Sequence, residues 1–284
     1  MALQILDSKF AGIIQAVYRS QSAFQPAFGA MQVADGVTNA KTMFSLKTND
    51  MPVVVGTYNT DANVAFGTGT DNSSRFGKRQ EVIYQDKDVP YDSTWAINEG
   101  LDNFTVNADI SAALADRLDQ RSQALIRLFN NLYGSKLVAA ASADLGSASD
   151  PVKLFGKAKA MMTNNEIIAP IRAYVEPETY NAIIDATLTT TAKGSAVNID
   201  TNGIVKLKGI TIQETPEQYM AGAKVIFTPD NIAKAFLGIE TVRTMEAHDF
   251  SGIELQGAGK YGAFVPDINK KAILTAGVSA STGK

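Results

Sequence analysis

Four groups of side chains in this sequence have the types and spacing that chemistry uses. Gly257, Gly259 and Gly262 fall in a G-x-G-x-x-G spacing directly after a strand-like Ile253-Glu254-Leu255. Such glycines let a backbone approach a pyrophosphate at a helix N-terminus. His248 lies between the acids Glu246 and Asp249, and a histidine beside a carboxylate can act as a general base. Asp86, Asp88 and Asp92 carry oxygens that suit a hard cation such as calcium. Arg75, Lys78 and Arg79 surround Phe76, a mixture of charge and ring that nucleic-acid contact uses.

Each group lacks what its chemistry needs next. A dinucleotide site requires a long helix after the glycines, a further parallel strand and an acid about 20 residues on. Here Pro266 follows closely, and Asn269 to Ala276 has the character of a strand. A Walker A reading fails as well, because Lys260 is followed by Tyr261 rather than Ser or Thr. His248 has no Gly-x-Ser-x-Gly elbow to serve, and reads as a hydrogen-bonded histidine in a loop or at a strand edge. Asp86-Lys-Asp-Val-Pro-Tyr-Asp92 lacks the glycine and terminal glutamate of an EF-hand and reads as a solvated turn. Three basic residues do not make a nucleic-acid site, and pairing with acids of another subunit explains them equally well.

Composition narrows the field further. The 284 residues include no cysteine and one histidine, so disulfides, thiolate metal sites and histidine-cluster zinc sites are excluded. The net charge of -3 comes from 26 basic and 29 acidic side chains, without the basic excess of a dedicated nucleic-acid binder. Hydrophobic residues make up 45%, enough for one large core or two modest ones. The N-terminus lacks the basic region and apolar run of a signal peptide, and no apolar stretch reaches membrane-spanning length. Chemistry recedes, and architecture has to carry the reading.

Asp7 or Ser8 caps a predicted first helix with Phe10, Ile13, Ile14, Val17 and Tyr18 along one side. The Ala-, Gln- and Gly-rich stretch 21–39 reads as an extended arm outside the core. Strands are predicted at 42–47, 52–58, 80–84 and 94–97, flanking a polar stretch at 59–77. Together they form a long hairpin projection, and a loop of that length implies a functional or partner-bound segment. A helix then runs from Asn107 past Tyr133, with Ile110, Leu114, Leu118, Leu125, Leu128 and Leu132 on one face. It would be about 40 Å long, with Asp109 in its first turn and Arg117, Arg121 and Arg127 around its polar sides. Leu118→Asp is expected to bury an unpaired charge and prevent folding.

Gly146 to Pro151 marks an internal boundary. Beyond it come a helix at 152–162, a strand at 171–175 and a helix opened by Pro177. A polar loop at 187–202 follows, then strands at 204–207 and 210–213 around the Lys208-Gly209 turn. Further strands are expected at 224–227, 233–239 and 241–245. The fold class is α+β. An arm and a hairpin that cannot bury themselves are ordered by neighbours, which makes assembly the physical inference.

This order of parts resembles the major capsid proteins of tailed bacteriophages, with the Hong Kong 97 fold. The resemblance covers nearly the whole chain. It implies an N-terminal arm at 1–41 and an extension-loop hairpin at 42–98. A peripheral domain with a spine helix would take 99–150 and 241–284, and an axial domain 151–240. The axial domain carries the unit Tyr174-Val-Glu-Pro-Glu-Thr-Tyr-Asn-Ala-Ile-Ile-Asp185. Val89-Pro-Tyr-Asp92, Glu99-Gly-Leu-Asp102 and Glu246-Ala-His-Asp-Phe250 look most like capsid proteins of siphophages infecting Gram-positive cocci.

The resemblance implies a non-enzymatic protein without cofactor or metal. It would self-assemble into hexamers and pentamers of an icosahedral shell around double-stranded DNA, without sequence-specific binding. Partners would be a separate scaffolding protein, a portal and head-completion proteins. The place would be the virion capsid, assembled in the host bacterial cytoplasm. If Met1 is the initiator, no N-terminal scaffolding extension precedes the chain. Some relatives cross-link a lysine to an asparagine; Lys78, Lys87 and Asn269 are present here, but the glutamate base and asparagine motif are not matched. Arg75, Lys78, Arg79, Asp86, Asp88 and Lys260 are the expected intersubunit contacts, with GAGKYG as a turn near them. Deleting 63–73 should leave a folded subunit that assembles poorly. An encapsulin-like cellular compartment and a small nucleotide-dependent enzyme are the alternatives.

Overall fold

The computed structural model describes residues 22–33, 41–49, 51–61, 64, 74–77, 79–106, 110–186, 197–200 and 203–278. The helix expected after Asp7 or Ser8, the Asn107 start of the long helix with Asp109, most of 63–73, and Lys78 lie outside them. In chain order the elements are α1 (Gln25–Phe28), β1 (Gln32–Val33), β2 (Thr42–Thr48), β3 (Gln85–Pro90), β4 (Ser93–Asp102), α2 (Ile110–Ala139), β5 (Ala143–Asp144), α3 (Pro151–Asn164) and β6 (Ile171–Val175). Then come α4 (Pro177–Asp185), β7 (Val197–Asp200), β8 (Gly203–Leu207), β9 (Ile210–Glu214), β10 (Val225–Pro229), β11 (Lys234–Glu246), β12 (Gly252–Phe264) and β13 (Leu274–Ala276).

Residues 40–90 form one compact unit and the remainder of the chain another. In the smaller unit β2 and β3 pair antiparallel, with Lys47 opposite Asp86 and Ser45 opposite Asp88. The strands expected at 52–58 and 80–84 are not found: 51–60 and 79–84 carry no regular secondary structure. Their β-branched residues have the propensity for a strand but no ladder partner, and propensity expresses fit to a half-buried surface.

The larger unit holds two sheets. The four-stranded sheet has the order β1-β11-β12-β4, and the seven-stranded sheet β5-β13-β10-β6-β9-β8-β7. Position 240 falls inside β11, which runs continuously where two strands were expected, with an irregularity between Leu237 and Glu240. Asn269, expected in a strand, lies in a 3-10 turn at Asp267–Ala272, ahead of the short strand β13. Part of the expected 187–202 loop is strand β7.

Several local rules held. Pro177 sits in the first turn of α4, and Pro151 in that of α3. Asp150 caps α3 by accepting from Lys153 N at 3.1 Å. Lys208 and Gly209 both have positive φ at the β8–β9 turn.

Two apolar cores lie on the seven-stranded sheet. One gathers Phe155, Met162, Ile183, Phe227 and Leu274 under α3 and α4, with Phe155 edge-on to Phe227 at 5.0 Å. The other contains Tyr174, Tyr133, Leu137, Met220 and, unexpectedly, Phe24 and Phe28. Ala23, Phe24, Ala27 and Phe28, expected in an arm outside the core, are therefore part of it. Phe24 packs on Tyr174 at 4.8 Å and Phe28 stacks on Tyr133 at 4.3 Å. The Pro26 and Ala27 carbonyls accept from Asn231 N and Ala233 N, and β1 runs parallel to β11. Burial pushes the Tyr133 phenol up to about 12.

The long helix α2 has 30 residues, about 45 Å at 1.5 Å per residue. Its last turns are buried through Asn130, Tyr133, Gly134 and Leu137. Gly134 allows a close approach, because a Cβ there would lie 1.7 Å from the Tyr219 backbone oxygen, far inside contact distance. The first half of α2 is less covered, and Leu118 is 36% exposed. Leu118→Asp would leave its charge in reach of water, so the expectation that it prevents folding is corrected.

Candidate functional site

The glycine motif is neither a phosphate turn nor a turn of any kind. Gly257, Gly259 and Gly262 all lie within β12, the central strand pairing with β11 on one side and β4 on the other. Residues two apart on a strand share a face, and Gly257 and Gly259 both face the indole of Trp95 on β4. A Cβ at Gly259 would lie 2.7 Å from Trp95 Nε1, and one at Gly257 would lie 3.2 Å from its ring. The glycines are a slot for the chain's single tryptophan, which is buried. The i, i+2 glycine spacing was visible in sequence; its occupant, more than 150 residues earlier, was not.

The other wall of the slot is α2. The Arg121 guanidinium lies 5.0 Å from the Trp95 ring centroid and donates to Glu240 Oε1 of β11 at 2.7 Å. A desolvated cation over an indole is among the stronger cation–π geometries. One turn earlier, Arg117 grips Glu99 of β4 in a bidentate pair, and this hydrogen bond raises the guanidinium pKa. Near the helix's end Lys136 pairs with Asp92, whose second oxygen accepts from Ala263 N at 2.8 Å. Arg117 and Arg121, expected on a polar side, clamp the helix to the sheet instead.

The remaining chemical candidates stay apart. Asp86 pairs with Lys47 at 3.0 Å, Asp88 accepts from Ser45 Oγ, and Asp92 belongs to the Lys136 pair. Among the described residues no group of histidines and acids could hold a metal ion. His248 is exposed in the turn between β11 and β12. Arg75 donates to the Asn59 carbonyl at 3.2 Å, Phe76 meets Tyr58 edge-on at 5.1 Å, and Arg79 is exposed. Lys260 lies 5.8 Å from the Tyr91 ring centroid. No helix of the described residues is long and apolar enough to cross a membrane.

What the molecule does present is uncovered apolar surface. In the smaller unit Val53 and Val55 are 91% exposed and Phe76 83%, with Val54, Val82, Ile83 and Tyr84 more than half exposed. Monomeric soluble proteins rarely leave such runs open, and they mark surfaces that other molecules cover. Catalytic geometry is not what these residues build.

Among solved structures the chain is similar to viral shells, and it has the Hong Kong 97-type capsid fold. The capsid structure of cyanophage P-SCSP1u superposes with a TM-score of 0.68 and 12% identity, over 98% of this chain and 94% of that one. The mature capsid of bacteriophage PhiM1 gives 0.66 and 11%, over 94% and 90%. A chain from Mycobacterium phage Che8 gives 0.58 and 17%, over 84% and 85%. No family model matches the sequence, and no curated protein matches it.

Proposed function

We propose that this chain is the major capsid protein of a tailed bacteriophage, forming hexamers and pentamers of an icosahedral shell around packaged double-stranded DNA. The observation that carries the reading is a capsid fold along nearly the whole chain, at a TM-score of 0.68 with the cyanophage P-SCSP1u capsid. The open valines of 51–60 support it, since a surface of that kind is stable in water once neighbouring subunits cover it.

In this reading α2 is the spine helix and residues 40–90 hold the extension loop. The seven-stranded sheet forms the axial domain and the four-stranded sheet the peripheral one. Arg75, Lys78, Arg79, Asp86, Asp88 and Lys260 make polar contacts between subunits. Scaffolding, portal and head-completion proteins are the other partners, assembly takes place in the host bacterial cytoplasm, and the host is a Gram-positive coccus. Gly257, Gly259 and Trp95 fix how the spine helix seats on its sheet.

Electron microscopy of native particles containing this chain, with analysis of their contents, tests the proposal. The expected result is an icosahedral shell enclosing double-stranded DNA. DNA-free shells holding a cargo enzyme would replace the phage reading with a cellular compartment. A chain found only as free subunits would overturn both.

A further inference from the structure

Three apolar side chains of the larger unit stand far more open than its others. Ile168 is 98% exposed, Phe104 86% and Ile268 76%, where the next, Val242, is 43% exposed. They fall in two places. Ile168 and Ile268 sit on loops at the end of the seven-stranded sheet where β6 begins, β10 ends and β13 begins. Hydrogen bonds tie these loops together. Asn165 Nδ2 donates to the Lys271 carbonyl at 3.1 Å, Asn269 Nδ2 to the Ile232 carbonyl at 2.7 Å, and Asp230 N to the Pro170 carbonyl at 3.2 Å. Exposed Lys234, Lys270 and Lys271 lie on or beside them. Of the acids there, Asp267 is held by Lys270 at 2.7 Å and Asp230 by Arg172 at 3.0 Å, which leaves Glu166.

Phe104 sits at the other end of β12. Its turn is tied to the β11–β12 turn by Asn103 N, which donates to the Ser251 carbonyl at 2.7 Å. Segments 98–106 and 244–254 carry Glu99, Asp102, Glu246, Asp249 and Glu254 and no Lys or Arg. Glu99 is taken by Arg117, and the other four leave this tip acidic. The 13 residues of β12 span about 40 Å at roughly 3.3 Å per residue, so the two patches cannot meet within one chain.

We propose that the acidic Phe104 tip of one chain docks on the basic Ile168–Ile268 patch of a second copy, head to tail. Open apolar side chains of this kind mark surfaces that another molecule covers. A basic rim selects an acidic one, and the chain itself displays that partner surface. Loops already tied to one another lose little freedom on docking. Two unlike patches make a heterologous contact, which closes into a ring or continues as an array. The inference rests on the shell reading, which supplies the copies, and adds which surfaces meet.

Carbodiimide coupling joins an amine to a carboxylate only where the two touch. It is applied to particles assembled from equal parts of light- and heavy-isotope chains and read by mass spectrometry. The expected product is a mixed-isotope peptide linking Lys270 or Lys271 to Glu246 or Asp249. Ile168→Asp with Ile268→Asp should lower its yield about tenfold, equivalent to about 1.4 kcal/mol of contact, and leave the urea midpoint of the subunit unchanged. Lys271→Glu should lower it too, and adding Asp249→Lys should restore coupling between the same two positions. Particles without the link, or a link indifferent to the isoleucine substitutions, would overturn the inference and leave the shell reading standing. A link from these lysines to a different protein of the particle would overturn it as well. If the chain forms no particles, the shell reading fails instead. The same coupling on concentrated subunits then decides the inference, a link supporting it and no link overturning it.

Discussion

The two β-rich regions of this chain use similar residues to opposite ends. Val225-Ile-Phe-Thr-Pro229 is wholly buried as β10, flanked by β13 and β6. Val53-Val-Val55, of comparable apolar character and β propensity, is open to water and pairs with no strand among the described residues. Propensity does not separate them, but what lies on either side does. β10 has ladder partners supplied by the chain itself, from as far apart as residues 171 and 276. The valine run has none among the described residues, and in the proposed shell a neighbouring subunit would cover it. One region is finished by folding, and the other is left open by it.

The largest effect should come from breaking the finished region. Phe155 is fully buried against Phe227. Phe155→Ala should cost about 3–5 kcal/mol in urea unfolding, the range for a truncated core aromatic. A loss below about 1 kcal/mol would mean that this core is not packed as described.

Gly134→Ala asks whether α2 and the 3-10 turn at Glu217–Tyr219 really touch. Helix propensity alone favours Ala by about 1 kcal/mol. The Tyr219 carbonyl occupies the space a methyl would need, and overpacking of this kind typically costs about 1–3 kcal/mol. A net loss of stability is expected. A gain would show that propensity wins, and that the close approach is not made.

The same comparison explains what could be read in advance. Elements governed by local rules were legible: Pro177 opening α4, the Lys208-Gly209 turn, strand β6 and the existence of α2, although its buried face runs through Asn130, Tyr133, Gly134 and Leu137 and the expected leucine stripe is only half covered. Elements governed by distant partners were not. Gly257 and Gly259 looked like a turn because glycine usually serves turns, yet their function is to admit Trp95. The stretch 22–33 looked like an arm because its composition is small and polar, yet Phe24 and Phe28 anchor it in the core. Arg121 looked like solvent-facing charge until Trp95 and Glu240 were placed around it. Of the expected contact residues, Asp86 and Asp88 sit in β3 opposite Lys47 and Ser45, a pairing that alternation alone could not fix.

Reversing the comparison targets the open region. Val54→Asp with Val55→Asp should change subunit stability by no more than about 0.5 kcal/mol, as expected for exposed positions. Assembly should suffer far more, because each charge would have to be desolvated against a neighbour. Urea unfolding of the subunit, together with particle counts by electron microscopy, separates the two effects. Normal shells from the double variant would remove the valine run from the assembly surface.

The smallest effect belongs to a local rule in the finished region. Asp150 caps α3, and the hydrogen bonds from Lys153, backbone first and side chain second, hold its carboxyl below the ordinary value of 3.8. A carboxyl with a depressed folded-state pKa stabilises the fold in its ionised form, so the contribution is present above about pH 4. It fades as pH falls below the unfolded value and through the folded one. Asp150→Asn retains a cap acceptor but loses the charge that favours a helix N-terminus. The variant should therefore be slightly less stable than the parent at neutral pH, with the two converging below about pH 4. Paired urea titrations at pH 7 and pH 3 measure that convergence. A difference independent of pH would show that the cap acts through geometry rather than charge.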